Sequence, residues 1–180
     1  ILGEILQKLK ADGDFENTLV IFMTDHGISH IRGKQYLYEE GIRVPLIIAG
    51  PGVEVGVQRD DMVEHIDIVE RSEDIAPTSL ALARLDIPEH MQARDVLAQN
   101  YEHRSAVFSA RDRCDETVEH MRSVRTNRYK YIRNYLPERP YLQPNAYKDN
   151  KSIMISFKQA ALNGSLTKTQ QVLMASERPE

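Results

Sequence analysis

Residues 18–52, TLVIFMTDHGISHIRGKQYLYEEGIRVPLIIAGPG, are the stretch from which the fold can be inferred. Residues 18–24 form a nearly unbroken β-branched and apolar run, which is typical of a strand covered on both faces in a parallel sheet. Residues 44–49 are a second such run and end at a Gly-Pro-Gly turn. Asp25 and His26 directly follow the first run. Open α/β sheets bind ligands just beyond the carboxyl ends of their strands. We therefore expect the functional site to lie at Asp25 and His26.

The neighbouring segments support an α/β arrangement. Apolar residues recur at helical spacing over residues 1–9, and Asp12-Gly13-Asp14 ends the pattern, which predicts an amphipathic helix that leads into the first strand. Residues 25–43 show neither helical nor alternating periodicity. A loop of this length within a compact domain is usually functional.

The polar residues of this loop suit the binding of a metal ion and a doubly charged oxyanion ester. Asp25 offers a hard carboxylate oxygen of the kind that binds Ca²⁺ or Mg²⁺. His26 offers an imidazole nitrogen, which suits Mn²⁺ or Zn²⁺ better, so the identity of the metal stays open. Lys34 supplies a positive charge, and His30 is a candidate proton donor four residues after His26.

Composition excludes several classes of protein. The 180 residues carry a net charge of −4, with 23 Lys and Arg among 27 acidic residues, so a nucleic-acid partner is disfavoured. No apolar run approaches the ~20 residues that span a bilayer, so no membrane partner is expected. The single cysteine, Cys114, excludes an internal disulfide and a thiolate zinc site.

A set of short motifs in this order and spacing resembles the sulfatase family of the alkaline phosphatase superfamily. The resemblance runs from about Ile1 to the C-terminus. The matching segments are TDHG (24–27), RGK (32–34), LYEEGIRVPLI (37–47), PG (51–52), DIAPTSLALA (74–83) and SVRTNRYKYIRN (123–134).

This resemblance implies an α/β fold in two parts. Residues 1–100 would be the C-terminal part of a doubly wound, mostly parallel sheet that carries the metal and sulfate loop, 25–43. Residues 101–180 would form a small antiparallel α+β subdomain. The residue pattern itself predicts a helix over 75–85 with Asp74 as N-cap. Related sequences run from HIDI straight into APTSL, so the resemblance implies that VERSEDI is an insertion. It also predicts strands over 105–110, 118–126 and 128–134 and helices over 153–162 and 167–175.

The resemblance further implies hydrolysis of sulfate esters, or of N-sulfates, in a sulfated sugar or glycan. Asp25 and His26 would bind a divalent metal, with Ca²⁺ the family's implied ion and Mg²⁺, Mn²⁺ or Zn²⁺ as alternatives. Lys34 would contact the sulfate oxygens and help the ester oxygen to leave, with His30 assisting. The candidates for lining the substrate cleft are Arg111, Arg113 and His120.

The same comparison suggests that the chain is a fragment. It opens on Ile1 and ends at SERPE, whereas similar family members are much longer. Cys114 lies in RDRCDET, which does not resemble the C-x-P-S-R motif whose cysteine becomes formylglycine. We therefore expect the nucleophile to lie outside these residues and the chain alone to be inactive. The family implies a periplasmic, secreted or lysosomal location.

Two other functions stay open at this point. A phosphodiesterase or phosphonate hydrolase of the same superfamily would also place an Asp-His pair after a strand. A non-catalytic anion-binding domain would use the same cationic loop without turnover. The nucleophile motif would separate the two enzymes, and an upstream reading frame would separate either from a standalone domain.

Overall fold

The fold is a mixture of short helices and strands, which confirms the predicted α/β class. A computed structural model describes residues 1–63, 75–91 and 93–178. The elements in chain order are α1 (Leu2–Asp12), β1 (Val20–Met23), α2 (Glu39–Ile42), β2 (Leu46–Ala49), α3 (Ile75–Leu82), β3 (Ala106–Cys114), β4 (Thr117–Thr126), β5 (Lys130–Asn134), α4 (Ala146–Asp149), α5 (Ser152–Leu162) and α6 (Lys168–Gln171).

Most of the predicted elements are confirmed to within a few residues. Asp74, the predicted N-cap of α3, and residues 69–74 of the apparent insertion lie outside the described residues. The helix predicted over 167–175 is α6 followed by a turn of 3-10 helix, Val172–Met174. None of the described helices is both long enough and apolar enough to cross a membrane.

The chain divides into two compact units. The first contains residues 1–25 and 44–105, and the second contains residues 26–43 together with the chain from residue 106 onward. Residues 26–43, the middle of the loop between β1 and β2, therefore pack with the C-terminal sheet. The sequence-based boundary at residue 100 places them with the N-terminal part instead. The domain limits of the intact fold stay a prediction.

In the first unit, α1 ends where the sequence predicts. Gly13 adopts a left-handed conformation, φ 81°, and its N–H closes the last turn onto the carbonyls of Leu9 and Lys10. Pro77 and Thr78 of α3 are buried, and the Thr78 hydroxyl accepts a hydrogen bond of 3.0 Å from the Val96 N–H. This contact holds the segment after α3 against the helix.

The pairing of β1 with β2 corrects the expectation of a parallel sheet. The two strands run antiparallel, with Met23 opposite Leu46 and Val20 opposite Ala49. A parallel pair needs a crossover to the other end of the sheet, whereas the loop here leaves and re-enters at the same end. The strands are also less covered than predicted, since Ile47 is 59% exposed.

The second unit is built on an antiparallel meander, in the order β3-β4-β5. A tight turn connects β4 to β5, and in it the Thr126 N–H donates to the Tyr129 carbonyl at 2.7 Å. Along β4, Thr117, Glu119 and Met121 are buried and alternate with exposed neighbours, as expected when one face of a sheet is covered.

A buried carboxylate lies at the centre of this covered face. The Glu119 side chain is fully buried and accepts a 2.6 Å hydrogen bond from Arg178, whose side chain is 1% exposed. Arg111 on β3 lies 3.8 Å from the same carboxylate. The ion pair between Glu119 and Arg178 therefore joins the chain around residue 178 to β4.

We predict that Glu119→Ala lowers the free energy of unfolding by about 3–5 kcal/mol, because it leaves buried guanidinium groups without their counter-charge. Asp112→Ala is the matched control, since Asp112 pairs with Arg122 on the exposed face and should cost about 1 kcal/mol or less. Denaturant unfolding of both variants measures the difference. Similar losses for the two would contradict the assignment of Glu119 as an internal anchor.

Candidate functional site

The part of the loop between β1 and β2 that belongs to the second unit, residues 26–43 (the site loop), is anchored by buried aromatic side chains. Tyr36 and Leu37 are each 5% exposed. The Tyr36 hydroxyl donates to the Tyr141 carbonyl, and the Tyr38 hydroxyl donates to the Tyr141 hydroxyl at 2.9 Å. Burial raises the pKa of Tyr36 to about 12. The loop is thus held as part of the second unit's core.

Glycines let the backbone of the site loop fold tightly on itself. The Gly27 N–H donates to the Gly41 carbonyl at 2.9 Å, and the Lys34 N–H donates to the Ile28 carbonyl at 2.8 Å. A Cβ at Gly27 would overlap the Glu40 carbonyl, and one at Gly33 would overlap the Ile28 carbonyl. These positions require glycine because of close backbone approach.

Ion pairs fix the C-terminal end of the site loop. Glu39 at the start of α2 accepts a hydrogen bond of 3.0 Å from Lys130 and lies 3.5 Å from Arg125. Burial alone would raise the pKa of Glu39, but the hydrogen bond and charge of Lys130, with the charge of Arg125, outweigh it and lower the pKa. Glu39 therefore has a structural role at this end of the site loop.

Lys148 of α4 holds the middle of the site loop. Its side chain is buried, its Nζ lies 3.4 Å from the His30 carbonyl and 3.3 Å from the Ile31 carbonyl, and it lies 4.6 Å from the centre of the Tyr36 ring. Burial, and after it the charge of Arg111, lowers the pKa of Lys148 to about 8; Cys114 opposes this shift and the charge of Lys34 adds to it.

Lys34 contacts an exposed tyrosine, Tyr147, which lies on α4, the same short helix as Lys148. Its Nζ lies 4.5 Å from the centre of the Tyr147 ring, and the Nζ of Lys151 lies 4.2 Å from the same centre. The Tyr147 hydroxyl is 3.4 Å from the Ser29 hydroxyl. Among the described residues, lysine ion pairs are formed by Lys8, Lys130 and Lys158, and none by Lys34, Lys148 or Lys151.

The predicted metal ligands, Asp25 and His26, lie just after β1, near the start of the loop between β1 and β2. Asp25 is exposed and is the last residue of its unit, and His26, the first residue of the next, is half-buried. His26 Nδ1 lies 2.6 Å from the Gly27 carbonyl, an acceptor, so Nδ1 carries the proton and Nε2 has the lone pair in the neutral ring. Metal-binding histidines commonly have this second contact, so the residue fits the role. Within the described ranges, no group of three or more His, Cys, Asp and Glu side chains could hold a metal.

The predicted substrate-binding residues do not form one group. Arg111 is buried, lies 5.0 Å from the Tyr36 ring centre and donates to Thr117 at 3.0 Å, so it underlies the site loop. Arg113 is exposed and donates to the Asp115 carbonyl at 2.8 Å. His120 stacks on Tyr135 at 4.5 Å on the exposed face of the sheet. His30 is exposed, and its carbonyl accepts from Lys148.

Sequence reasoning missed Tyr147, Lys148 and Lys151. They lie in NAYKDNK, a polar segment over residues 145–151 without hydrophobic periodicity. The one available signal is Asn145, because asparagine is a preferred N-cap residue and so indicates the start of a helix. In the structure its side chain accepts a hydrogen bond from the Lys148 N–H at 2.9 Å, at the start of α4. Nothing in the sequence places that helix beside residues 26–43.

Comparison with known proteins identifies relatives along the whole chain. The sulfatase family model matches residues 1–85. The ulvan-active sulfatase of Formosa agariphila is 33% identical to the chain over 181 residues, covering 99% of this chain and 29% of that protein. The chain therefore spans less than a third of the length of that curated relative.

Solved structures share the fold. A Bacteroides thetaiotaomicron protein assigned to the sulfatases matches with a TM-score of 0.60 and 24% identity, covering 94% of this chain and 40% of that chain. A second structure, solved in complex with its substrate D-glucosamine-2-N,6-O-disulfate, matches with a TM-score of 0.57 and 22% identity, covering 96% and 38%. Both likenesses support the predicted fold class.

We predict that Gly33→Ala lowers the free energy of unfolding by about 1–3 kcal/mol, because the added methyl group must displace the Ile28 backbone. Gly3→Ala is the control: a Cβ there meets nothing within 4 Å, and alanine in α1 should stabilise by about 0.5–1 kcal/mol. Chemical denaturation of both variants tests this. If Gly33→Ala left the free energy of unfolding unchanged, the backbone around Ile28 would be able to move aside without cost, which would contradict the prediction.

Lys148 should make stability depend on pH. Its pKa is about 8 in the folded protein and 10.5 ordinarily, so between these values the unfolded chain binds more protons and stability rises with pH. Denaturant unfolding from pH 7 to pH 11 should therefore show the wild type gaining stability relative to Lys148→Met, mostly between pH 8 and 10.5. A constant difference between the two proteins would show that Lys148 is not desolvated as described.

Proposed function

The chain belongs to the sulfatase family, and on this premise we propose that it is part of an enzyme that hydrolyses sulfate esters of a sulfated sugar or glycan. The observation that carries the proposal is the ammonium group of Lys34. It lies on a fixed loop against an aromatic ring, and no described carboxylate neutralises it. A sulfate ester is the kind of anion that such a group attracts.

Lys34 is the proposed catalytic and substrate-binding cation. Negative charge grows on the ester oxygen as it leaves, and a positive group already in place stabilises that charge without reorganisation. The anchoring of the loop by Tyr36 and Lys148 supports this role, because it fixes the backbone on either side of Lys34. His30 is proposed to assist as a proton donor, and its exposed side chain is accessible for this.

Asp25 and His26 are the proposed metal ligands within this chain. A bound divalent ion would draw charge from the sulfate oxygens. The hydrogen bond from His26 Nδ1 to the Gly27 carbonyl supports the assignment, because metal-binding histidines commonly have their ring oriented by such a contact. We propose Ca²⁺ as the ion and assign the formylglycine nucleophile to a part of the protein other than these residues.

The cleft residues predicted from the sequence receive different roles. Arg113 and His120 are exposed and are proposed to contact the substrate. Arg111 is buried against Glu119 and Tyr36, so we propose that it acts through its charge and through packing beneath the site loop. Its substitution would therefore disturb the loop before it disturbed substrate contact.

The relatives support a sulfated sugar as the substrate class. One is described as acting on ulvan, and the second solved structure contains a disulfated glucosamine. A location outside the cytoplasm is part of the same proposal. Hydrolysis of phosphate esters or phosphonates is the main alternative, because a cationic loop beside an Asp-His pair would also bind those anions.

We predict that in the full-length enzyme Lys34→Ala lowers kcat by ~10²-fold or more, the usual loss for one preorganised electrostatic contact. The loss should shrink for aryl sulfates with very acidic leaving groups, which need less help to depart. Asp25→Ala should abolish metal retention, measured by elemental analysis, and activity with every leaving group.

The controls separate the alternatives. Matched sulfate and phosphate esters should show turnover of the sulfate, and faster turnover of the phosphate would identify a phosphoryl enzyme. Binding of sulfated sugar without turnover of either ester would identify a non-catalytic domain. Equal losses for Lys34→Ala along the leaving-group series would show that Lys34 serves binding or folding.

A further inference from the structure

We propose that Lys151, held beside Lys34 by the shared ring of Tyr147, binds a second anionic group of the substrate, a sulfate or carboxylate on the same or the adjoining sugar. The inference rests on the proposed function, because it takes Lys34 as the contact to the sulfate that is removed. It adds a specificity site on α4 and the start of α5.

The first support is the distance between the two cations. Both ammonium nitrogens approach the centre of one ring, at 4.5 and 4.2 Å, so they lie no farther apart than the sum of these distances. Two charged substituents of a sugar can span such a separation. A ligand held by Lys34 therefore brings its neighbouring substituents within reach of Lys151.

The second support is the absence of a counter-charge within the described part of the chain. Lys34, Lys148 and Lys151 form no ion pair there, whereas Lys158, seven residues along on α5, pairs with Asp149 at 2.9 Å. Lysines in mutual proximity repel one another, and an anion that binds among them relieves that repulsion. A ligand with two negative charges relieves it at both Lys34 and Lys151.

The third support comes from the surroundings of Tyr147. Its side chain is exposed, with 41% of its surface accessible, so the ring and the ammonium groups beside it face solvent. The hydrogen bonds with Ser29 and Lys151 and the charges of Lys34 and Lys151 lower the pKa of its phenol, which makes the hydroxyl a better donor to an anion. Tyr147 thus acts as a positioning residue for both lysines.

The test uses the full-length enzyme and three substrates with the same scissile sulfate: a monosulfated sugar, its disulfated counterpart, and a counterpart with a carboxylate. Lys151→Met should lower kcat/KM for the two dianionic substrates about tenfold more than for the monosulfated sugar, mainly through KM. Lys151→Arg should restore most of the preference. The two dianions also show whether sulfate or carboxylate is preferred.

Lys158→Met is the matched control, because Lys158 lies on α5, the helix that Lys151 precedes, and is already neutralised by Asp149. It should leave the preference unchanged. Equal losses on all three substrates, or no loss with Lys151→Met, would overturn the proposal. If the wild type turns over no substrate, the proposed function fails instead, and calorimetric binding of the disulfated sugar to wild type and Lys151→Met still decides whether Lys151 binds the second anion.

Discussion

The arrangement of the second unit depends on one buried carboxylate, that of Glu119. It neutralises Arg178 directly and Arg111 more distantly, and Arg111 in turn lies under the ring of Tyr36. Each contact places a cation where burial would otherwise be costly. The position of the site loop, residues 26–43, therefore follows from a carboxylate on β4, a strand that lies far from the loop in sequence.

Charge compensation divides this unit into two zones. The buried arginines Arg111 and Arg178 share the Glu119 carboxylate, and Glu39 at the end of the loop has Lys130 and Arg125. Around Lys34 the lysines contact aromatic rings and backbone carbonyls instead. Rings and carbonyls hold an ammonium group without cancelling its charge, so this zone keeps a positive potential in a fixed geometry. That combination is what a site for an anionic ester needs.

Much of the fold could be predicted from local pattern. The amphipathic repeat of residues 1–9, the apolar run of 18–24 and the strand pattern of residues 128–134 depend on neighbours a few residues away, and each matches an observed element. The direction of pairing between β1 and β2 depends on the path of a loop without periodicity, and here the expectation of a parallel sheet was wrong.

The site could be predicted only in part, for the same reason. Residues 24–34 carry a recognisable motif, but their anchors, Tyr141 and Lys148, lie more than a hundred positions away. Arg111, which the sequence presents as one more basic residue of a charged segment, is buried by contacts that no local pattern encodes. Long-range packing decides which lysines are neutralised and which remain available.

The separation of Tyr36 from Tyr141 has a consequence for biosynthesis. The two hydrogen-bond partners are 105 positions apart, so a ribosome adding about 5–20 residues per second needs roughly 5–20 s between them. During that interval the aromatic side chains of the nascent loop have no core to enter and are available to chaperones. The site loop therefore reaches its final packing only after Tyr141 has left the ribosome.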